Sequence, residues 1–540
     1  MKLLFTLIAI AAIQLTTFSQ SSKPKLVVGI VVDQMRQDYL IRFADKYGND
    51  GFKRLMKDGT VAYNAHYNYI PTNTGPGHAS VYTGTTPSMH GIISNSWYNK
   101  KTGEGLYCVE DNNQKVVGGD EGAGKISPVN LVTTTITDEL KLSTSFKSKV
   151  IGVAIKDRGS VLPAGHNPDC AYWFDSKTGN FVTSTYYLQE LPDWVKKFNK
   201  DKKAEKYMKN KWELSFPLES YVESRSDDNI YERLYGGLEK PTFPYDLPAL
   251  AKANSAGDVI RSTPYGNTIT LDFALSAIEG EGMGKDNITD FLAVSFSSTD
   301  YIGHQFGPYS VEIEDTYIRL DKEIARLLNY LDTNVGKDQY VVFISADHAV
   351  VANPQYLVDN KMPGGYVNTG TIKSAIENSV KEMLGEGDFI SSISNNQVYL
   401  NHKLLDEKKV SAKEVLEVIR KDLMELDDIA NVYFPAELGV SGELQSTLLS
   451  NGHNAKRSGD LLYRYNAGYL GGKPGDRGTS HGSGYNYDTH IPMVFFGTGV
   501  PAKSVYRRVN ITDIAPTLAM LLQTTLPASA TGLPLTEIFE

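Results

Sequence analysis

Thr74 stands directly ahead of Gly75, Pro76 and Gly77 in the stretch TNTGPGHAS, residues 72–80. Proline is tolerated in the first turn of a helix, where its missing N–H has no intrahelical partner to lose. Thr74 is therefore expected at or just before a helix N-terminus. Free backbone N–H groups and the positive end of the helix dipole favour an anion at that point. A hydroxyl beside an anion site is a candidate nucleophile for a phosphate or sulfate ester. An ordinary threonine N-cap has the same signature, so the assignment depends on what else the chain supplies.

It supplies three carboxylates and three imidazoles. Asp33, Asp300 with His304, and Asp347 with His348 each follow an apolar run, and His481 lies in the glycine-rich loop RGTSHGSG. Mixed nitrogen and oxygen ligation suits zinc, and six such groups divide into two sites of about three ligands each. Taken singly, an Asp after a strand is often a helix cap and a lone His is often structural. The other seven histidines, His66, His78, His90, His166, His402, His453 and His490, have no such companions.

Lys156 and Arg158 lie two apart after another apolar run. Read as the end of a strand, the period of two puts both on one face and Asp157 on the other. An ammonium beside a guanidinium fork suits a doubly charged phosphoryl group. Asn95, in SNSWY, is a further candidate donor, with a plain turn asparagine as the alternative.

These residues need a scaffold that brings them to one edge. Residues 25–32, 149–155, 291–296, 340–344 and 492–496 are continuous apolar runs rich in β-branched residues, the pattern of buried parallel-type strands. Helical spacing lies between them. Ile313, Tyr317, Leu320, Ile324, Leu327, Leu328 and Leu331 follow three- and four-residue steps behind a Ser310 cap. Residues 130–142 and 511–522 are further helix candidates. The expected fold is α/β, a central, mostly parallel sheet flanked by helices, with two inserted subdomains. In such folds sites lie beyond the carboxyl ends of the strands, which is where the acidic and imidazole groups fall. The catalytic core is expected over residues 24–350 and 450–540. The insertions are expected at 160–285, within the core, and at 360–450, a small α/β cap.

The net charge of −9 over 540 residues gives no polyanion-binding surface, so a nucleic-acid partner is not expected. A negative substrate must find local positive charge from metals or a few Lys and Arg. Lys2, the apolar run 3–13 and the small residues before Gln20 form an export leader, residues 1–19. That run is too short to span a bilayer, and no other run is long enough, so no membrane span is expected after cleavage. Cys108 and Cys170 are the two cysteines; an exported pair can form a disulfide, and two buried thiols fit the sequence equally well.

Together VVDQMR, TNTGPGHASVYTG, SNSWY, KDRG, STDYIGHQFGP, SADHA and HGSG resemble the alkaline phosphatase superfamily, most closely its bacterial phosphate-irrepressible type. The resemblance covers residues 24–350 and 450–540, including ITDIAPTLAMLL near the C-terminus. It implies a periplasmic monomer that hydrolyses small phosphate monoesters through a phospho-threonine at two zinc ions per chain. It also implies the roles. Asp300, His304 and His481 would bind one zinc; Asp33, Asp347, His348 and the Thr74 oxygen would bind the other; Asn95, Lys156 and Arg158 would hold the phosphoryl oxygens. The enteric type differs, with a serine nucleophile, an arginine clamp and a magnesium site. Sulfatases need a C/S-x-P-x-R motif that TNTGPGH lacks.

Two rival readings fit the same residues. A phosphodiesterase or nucleotide pyrophosphatase could use the same metal core, although a diester, with one charge and a second substituent, calls for an apolar pocket in place of Lys156 and Arg158. A non-catalytic phosphate or metal binder is the other; turnover that disappears in Thr74→Val separates it from an enzyme.

Overall fold

The computed structural model describes residues 23–540. The expected leader, residues 1–19, lies outside them. The chain is built on an eleven-stranded sheet. Its strands are β1 (Leu26–Val32), β2 (Thr60–His66), β3 (Val116–Val117), β4 (Val150–Ala154), β5 (Cys170–Asp175), β6 (Asn180–Ser184), β7 (Asp290–Phe296), β8 (Tyr340–Ser345), β9 (His490–Gly497), β10 (Lys503–Val505) and β11 (Val509–Asn510). The order is β10-β2-β9-β8-β1-β7-β4-β5-β6-β3, and β11 also pairs with β2.

The apolar runs of the sequence form the centre. β8, β1, β7, β4 and β5 are mutually parallel. Every residue of β1 and β7 is buried, as strands covered on both faces require. Their register decides the rest. Val32 pairs with Phe296, and Val31 pairs with Ser345, so β1, β7 and β8 end at one level. The residues that follow them emerge side by side.

β9 departs from the parallel pattern. It runs antiparallel to β8, with Met493 opposite Ser345. Its start, and not its end, therefore lies at the functional edge, which is why His481 precedes its strand while the other ligand candidates follow theirs. β2 is antiparallel to β9 in turn, so its carboxyl end also faces this edge and leads towards Thr74.

Helices cover both faces. They include α1 (Thr74–Thr83), α2 (Asp157–Ala164), α3 (Pro264–Glu281), α4 (Ser298–Phe306), α5 (Val311–Leu331) and α6 (Ile514–Leu522). Ser310 caps α5 by accepting from the Ile313 N–H at 3.1 Å, and the predicted apolar stripe faces the core. The helix expected over 130–142 begins later, at Ile136. Thr135 and Asp138 form a capping box that fixes its start. Of the segment 511–522, the first three residues form a 3₁₀ turn before α6.

Within the segment 160–285, β5 and β6 extend the central sheet and α3 packs against β7. The region around 360–450 contributes to a separate four-stranded sheet, ordered Ile390–Ser394, Gln397–Leu400, Leu461–Tyr465, Ile429–Tyr433. Helices Thr369–Leu384 and Ala412–Met424 pack with it around a core of its own that includes Ile376, Val398, Ile419 and Leu461. We call this unit the cap. Cys108 and Cys170 are both free thiols and buried.

Candidate active site

Thr74 is the first residue of α1 and is buried. Asn73 occupies the cap position in extended conformation but does not cap with its side chain. The Gly75 N–H donates instead to Asn95 Oδ1 at 2.7 Å. Gly77 lets the helix lie against the end of β8. A Cβ there would overlap the Asp347 carbonyl oxygen and lie 2.6 Å from the Asp347 Cβ. His78, one turn on, is fully buried. Its Nδ1–H donates to the Thr74 carbonyl at 2.9 Å, and its Nε2 accepts from Ser295 Oγ at 2.8 Å. Burial lowers its pKa to about 4, so the ring is neutral at pH 7 and ties α1 to β7. The sequence offered no partner for it.

The register of β1, β7 and β8 brings the acidic groups together. Asp300, in the first turn of α4, lies 3.2 Å from His304 Nε2 and 3.6 Å from His481 Nε2. Asp33 lies 3.5 Å from His348 Nε2. Two groups of three donors result, each with its atoms within 4.8 Å of one another: Asp300, His304 and His481, and Asp33, Asp300 and His348. Asp300 belongs to both. Asp347 sits at the rim of the second group, 3.7 Å from His348 Nε2 and 3.5 Å from His78 Nδ1.

The donor chemistry fits a pair of metal ions. All three imidazoles are oriented alike: Nδ1 of His304 reaches the Thr479 carbonyl at 2.8 Å, that of His481 the Thr72 carbonyl at 2.8 Å, and that of His348 the Ala349 carbonyl at 3.0 Å. A carbonyl accepts only, so each Nδ1 carries a proton and each Nε2 faces the carboxylates, where its lone pair is available to a cation held between them, as in a metal-bound histidine. Asp33 Oδ1, Asp347 Oδ2 and His348 Nε2 are buried without a hydrogen-bond partner. Buried polar atoms are rarely left so, and a cation satisfies all three at once.

The electrostatics agree. Burial, then the neighbouring Asp300, pushes the Asp33 carboxyl up. Burial and Asp33 push Asp347 well above the usual carboxylate range. Burial acts on Asp300 in the same direction, but His304 and Lys156 outweigh it and hold that group well below its ordinary value. Burial lowers His348 to about 3 and takes His481 well below its ordinary value. His304 goes the other way: burial lowers it, but the adjacent Asp300 outweighs that and raises it above the ordinary imidazole value. Crowded carboxylates beside the neutral His348 and His481 form a cation site.

Gln34 links the ligand candidates. Its backbone N–H donates to Asp347 Oδ1 at 3.1 Å, and its Nε2 donates to Asp300 Oδ1 at 2.6 Å. It does this from a left-handed backbone, φ 66°, which a non-glycine residue adopts at a cost. Nothing in its residue type signals that role.

Lys156 and Arg158 reach the site by a different geometry from the one expected. β4 ends at Ala154, Lys156 stands at the N-cap position of α2, and Arg158 lies in that helix's first turn. The strand period of two does not apply to them, and a helix start turns both side chains inward. Lys156 Nζ donates to Asp33 Oδ2 at 2.7 Å and to Asp300 Oδ2 at 2.5 Å. Arg158 lies with one amino group 3.5 Å from Thr74 Oγ1. Its other amino group donates to Tyr107 Oη at 3.1 Å, and that hydroxyl donates to Asp157. Tyr107 thus steadies the guanidinium, a role the sequence does not announce.

Sequence comparison decides the family. The model for type I phosphodiesterase/nucleotide pyrophosphatase matches residues 27–483. Alkaline phosphatase PafA of Elizabethkingia meningoseptica is 44% identical over 96% of this chain and 94% of its own. The chain belongs to the alkaline phosphatase superfamily and is of the PafA type. A crystal structure of wild-type PafA superposes with a TM-score of 0.92 at 43% identity, covering 96% of this chain and 99% of that one. A relative from Myroides odoratus, 46% identical over 96% of this chain and 95% of its own, carries the name calcium-transporting ATPase. No helix among the described residues of this PafA-type chain is long and apolar enough to cross a membrane.

Proposed function

We propose that the chain is an exported, periplasmic alkaline phosphatase, a monomer, that hydrolyses small phosphate monoesters at a two-zinc site with Thr74 as nucleophile. The observation that carries the reading is Thr74 Oγ1 at the head of α1, 3.5 Å from the Arg158 guanidinium, on a helix whose Gly77 and His78 lie against Asp347. Asp300, His304 and His481 would hold one ion; Asp33, Asp347, His348 and the Thr74 oxygen the other. Bound zinc supplies the Lewis-acid charge that acidifies an adjacent hydroxyl or water and stabilises a leaving oxygen.

The chain's own residues do the rest. Thr74 Oγ attacks phosphorus as the bond to the alcohol oxygen breaks, giving a phospho-threonine that water then hydrolyses. Arg158 and Lys156 meet the charge on the equatorial oxygens, and Asn95 adds its Nδ2 donor. Oδ1 of Asn95 is already engaged by Gly75, which orients the carboxamide for this. The α1 N-terminus adds its positive dipole end.

The matching family model is described by phosphodiesterase and pyrophosphatase activity, so a diesterase is the second reading. The cationic pair favours the monoester, whose two charges it can match. The test compares p-nitrophenyl phosphate with bis-p-nitrophenyl phosphate, before and after chelation and zinc reloading. Lys156→Ala and Arg158→Ala are expected to lower monoester kcat/KM by at least about 100-fold, with much smaller losses on the diester. Equal losses on both substrates would exclude the monoesterase assignment.

A further inference from the structure

One tight turn of the cap reaches the segment that carries Asn95. Strands Ile390–Ser394 and Gln397–Leu400 are joined by Asn395 and Asn396, both left-handed, with φ 52° and 57°. Ser394 pairs with Gln397, so this is a two-residue hairpin of the kind asparagine favours. Asn395 points back into the core unit. Its Nδ2 donates to the Ser96 carbonyl at 2.8 Å, and its Oδ1 accepts from Ser94 Oγ at 3.0 Å. Those two partners flank Asn95. The same Ser94 hydroxyl accepts from Asn73 Nδ2 at 3.1 Å, and Asn73 is the residue before Thr74.

From the core unit the arch that carries Asn95 receives the Gly75 N–H on Asn95 Oδ1 and the Asn73 Nδ2 on Ser94 Oγ, which engage side chains and leave the placing of its main chain to other contacts. It leads into a ribbon, Ser96–Asn99 with Glu104–Tyr107, that stands apart from the central sheet as two strands only. A ribbon of that size is marginal by itself. The arch also uses the Asn95 carbonyl, which accepts from Cys108 N–H at 2.9 Å, and the apolar contacts of Ile93 and Trp97. Such contacts bury the arch without setting its register to better than the slack in apolar packing. Hydrogen bonds on both flanks of Asn95 do set it. A second cap contact, the edge of Tyr98 against Tyr399 at 5.2 Å, lies on the same ribbon.

We propose that Asn395 is a positioning residue for phosphoryl binding: the cap's turn fixes the arch over residues 94–96 and, through it, the Asn95 carboxamide. The inference rests on the phosphoryl-binding role given to Asn95 above. It makes the cap part of the site's framework, although the cap contributes no group that touches the reacting atoms.

The test is a double-mutant cycle. Asn395→Gly removes the side chain while leaving a residue that accepts φ 52°, and Ser94→Ala removes the shared hydroxyl. Each is combined with Asn95→Ala, and kcat/KM for p-nitrophenyl phosphate and KI for inorganic phosphate are measured on the full chain. In the native background each variant is expected to lose about tenfold in kcat/KM and to bind phosphate more weakly. In the Asn95→Ala background the further loss should be under about twofold, because the interaction is no longer there to position. An equal loss in both backgrounds, or none in the native one, would overturn the proposal. If Asn95→Ala alone leaves kcat/KM and KI unchanged, Asn95 is not a phosphoryl ligand, and the positioning role falls for that separate reason.

Discussion

Gln34 shows how much a site can depend on a residue with no reactive group. It occupies a strained backbone region, and its two hydrogen bonds run to carboxylates from two different strand ends, Asp347 and Asp300. Gly303 on α4 leaves the space that the Gln34 amide fills. Gln34→Leu keeps a similar volume and loses the Nε2 donor. It is expected to lower kcat/KM about tenfold and to speed loss of zinc to a chelator about tenfold, beyond the modest fall in metal-free melting temperature that losing one buried hydrogen bond brings. A variant that loses metal-free stability but releases zinc at the native rate would make Gln34 a packing residue. Residue types announced much of this site: an Asp after a β-branched run, an Asp-His pair, and a hydroxyl ahead of Gly-Pro-Gly could be read directly. Gln34, Tyr107 and His78 could not, because their roles come from hydrogen bonds to residues tens to hundreds of positions away.

At the scale of elements, the strands were legible because burial on both faces demands continuous apolar runs. Their direction was not. Nothing in residues 490–497 says that β9 reverses, and its reversal places His481 before its strand. The start of α2 was also hidden, since KDR reads equally as a strand end or a helix start, and the helix start at Asp157 is what turns Lys156 and Arg158 inward. The packing of α1 against the end of β8 gives the sharpest test at this scale. In an unconstrained helix, Gly→Ala stabilises by about 1 kcal/mol. At Gly77 the added methyl meets the backbone of Asp347, so the sign should reverse. Gly77→Ala is expected to lower the melting temperature by several degrees and kcat/KM by more than about tenfold, since either Thr74 or Asp347 must move. A rise in melting temperature would show that α1 has slack against β8, and that the Thr74 position is set elsewhere.

For the molecule as a whole, a buried acid far from the site contributes to how stability varies with pH. Glu312, in the first turn of α5, is fully buried. Its Oε1 accepts from Tyr245 Oη at 2.6 Å, tying α5 to the segment before α3, and its Oε2 has no partner. Burial pushes its pKa up to about 8, against the pull of the Tyr245 hydrogen bond. A carboxyl whose pKa is raised on folding binds its proton more tightly in the native state. The stability it confers is therefore full below the unfolded value near 4.5 and is lost as pH rises towards about 8. The unfolding free energy is expected to fall between pH 5 and pH 9, with a contribution from Glu312 on the order of a few kcal/mol. Glu312→Gln keeps an acceptor for Tyr245 and removes the ionisation, so its stability curve should be flatter and should gain on the native protein at alkaline pH. Urea unfolding of both proteins at pH 5.5 and pH 8.5 measures this. Parallel curves would mean that Glu312 ionises in the folded protein as freely as in the unfolded chain, and that water reaches the base of α5. Alkaline pH is thus the range in which Glu312 contributes least to stability, the opposite of Asp300 and Asp272, whose lowered carboxyls stabilise most there.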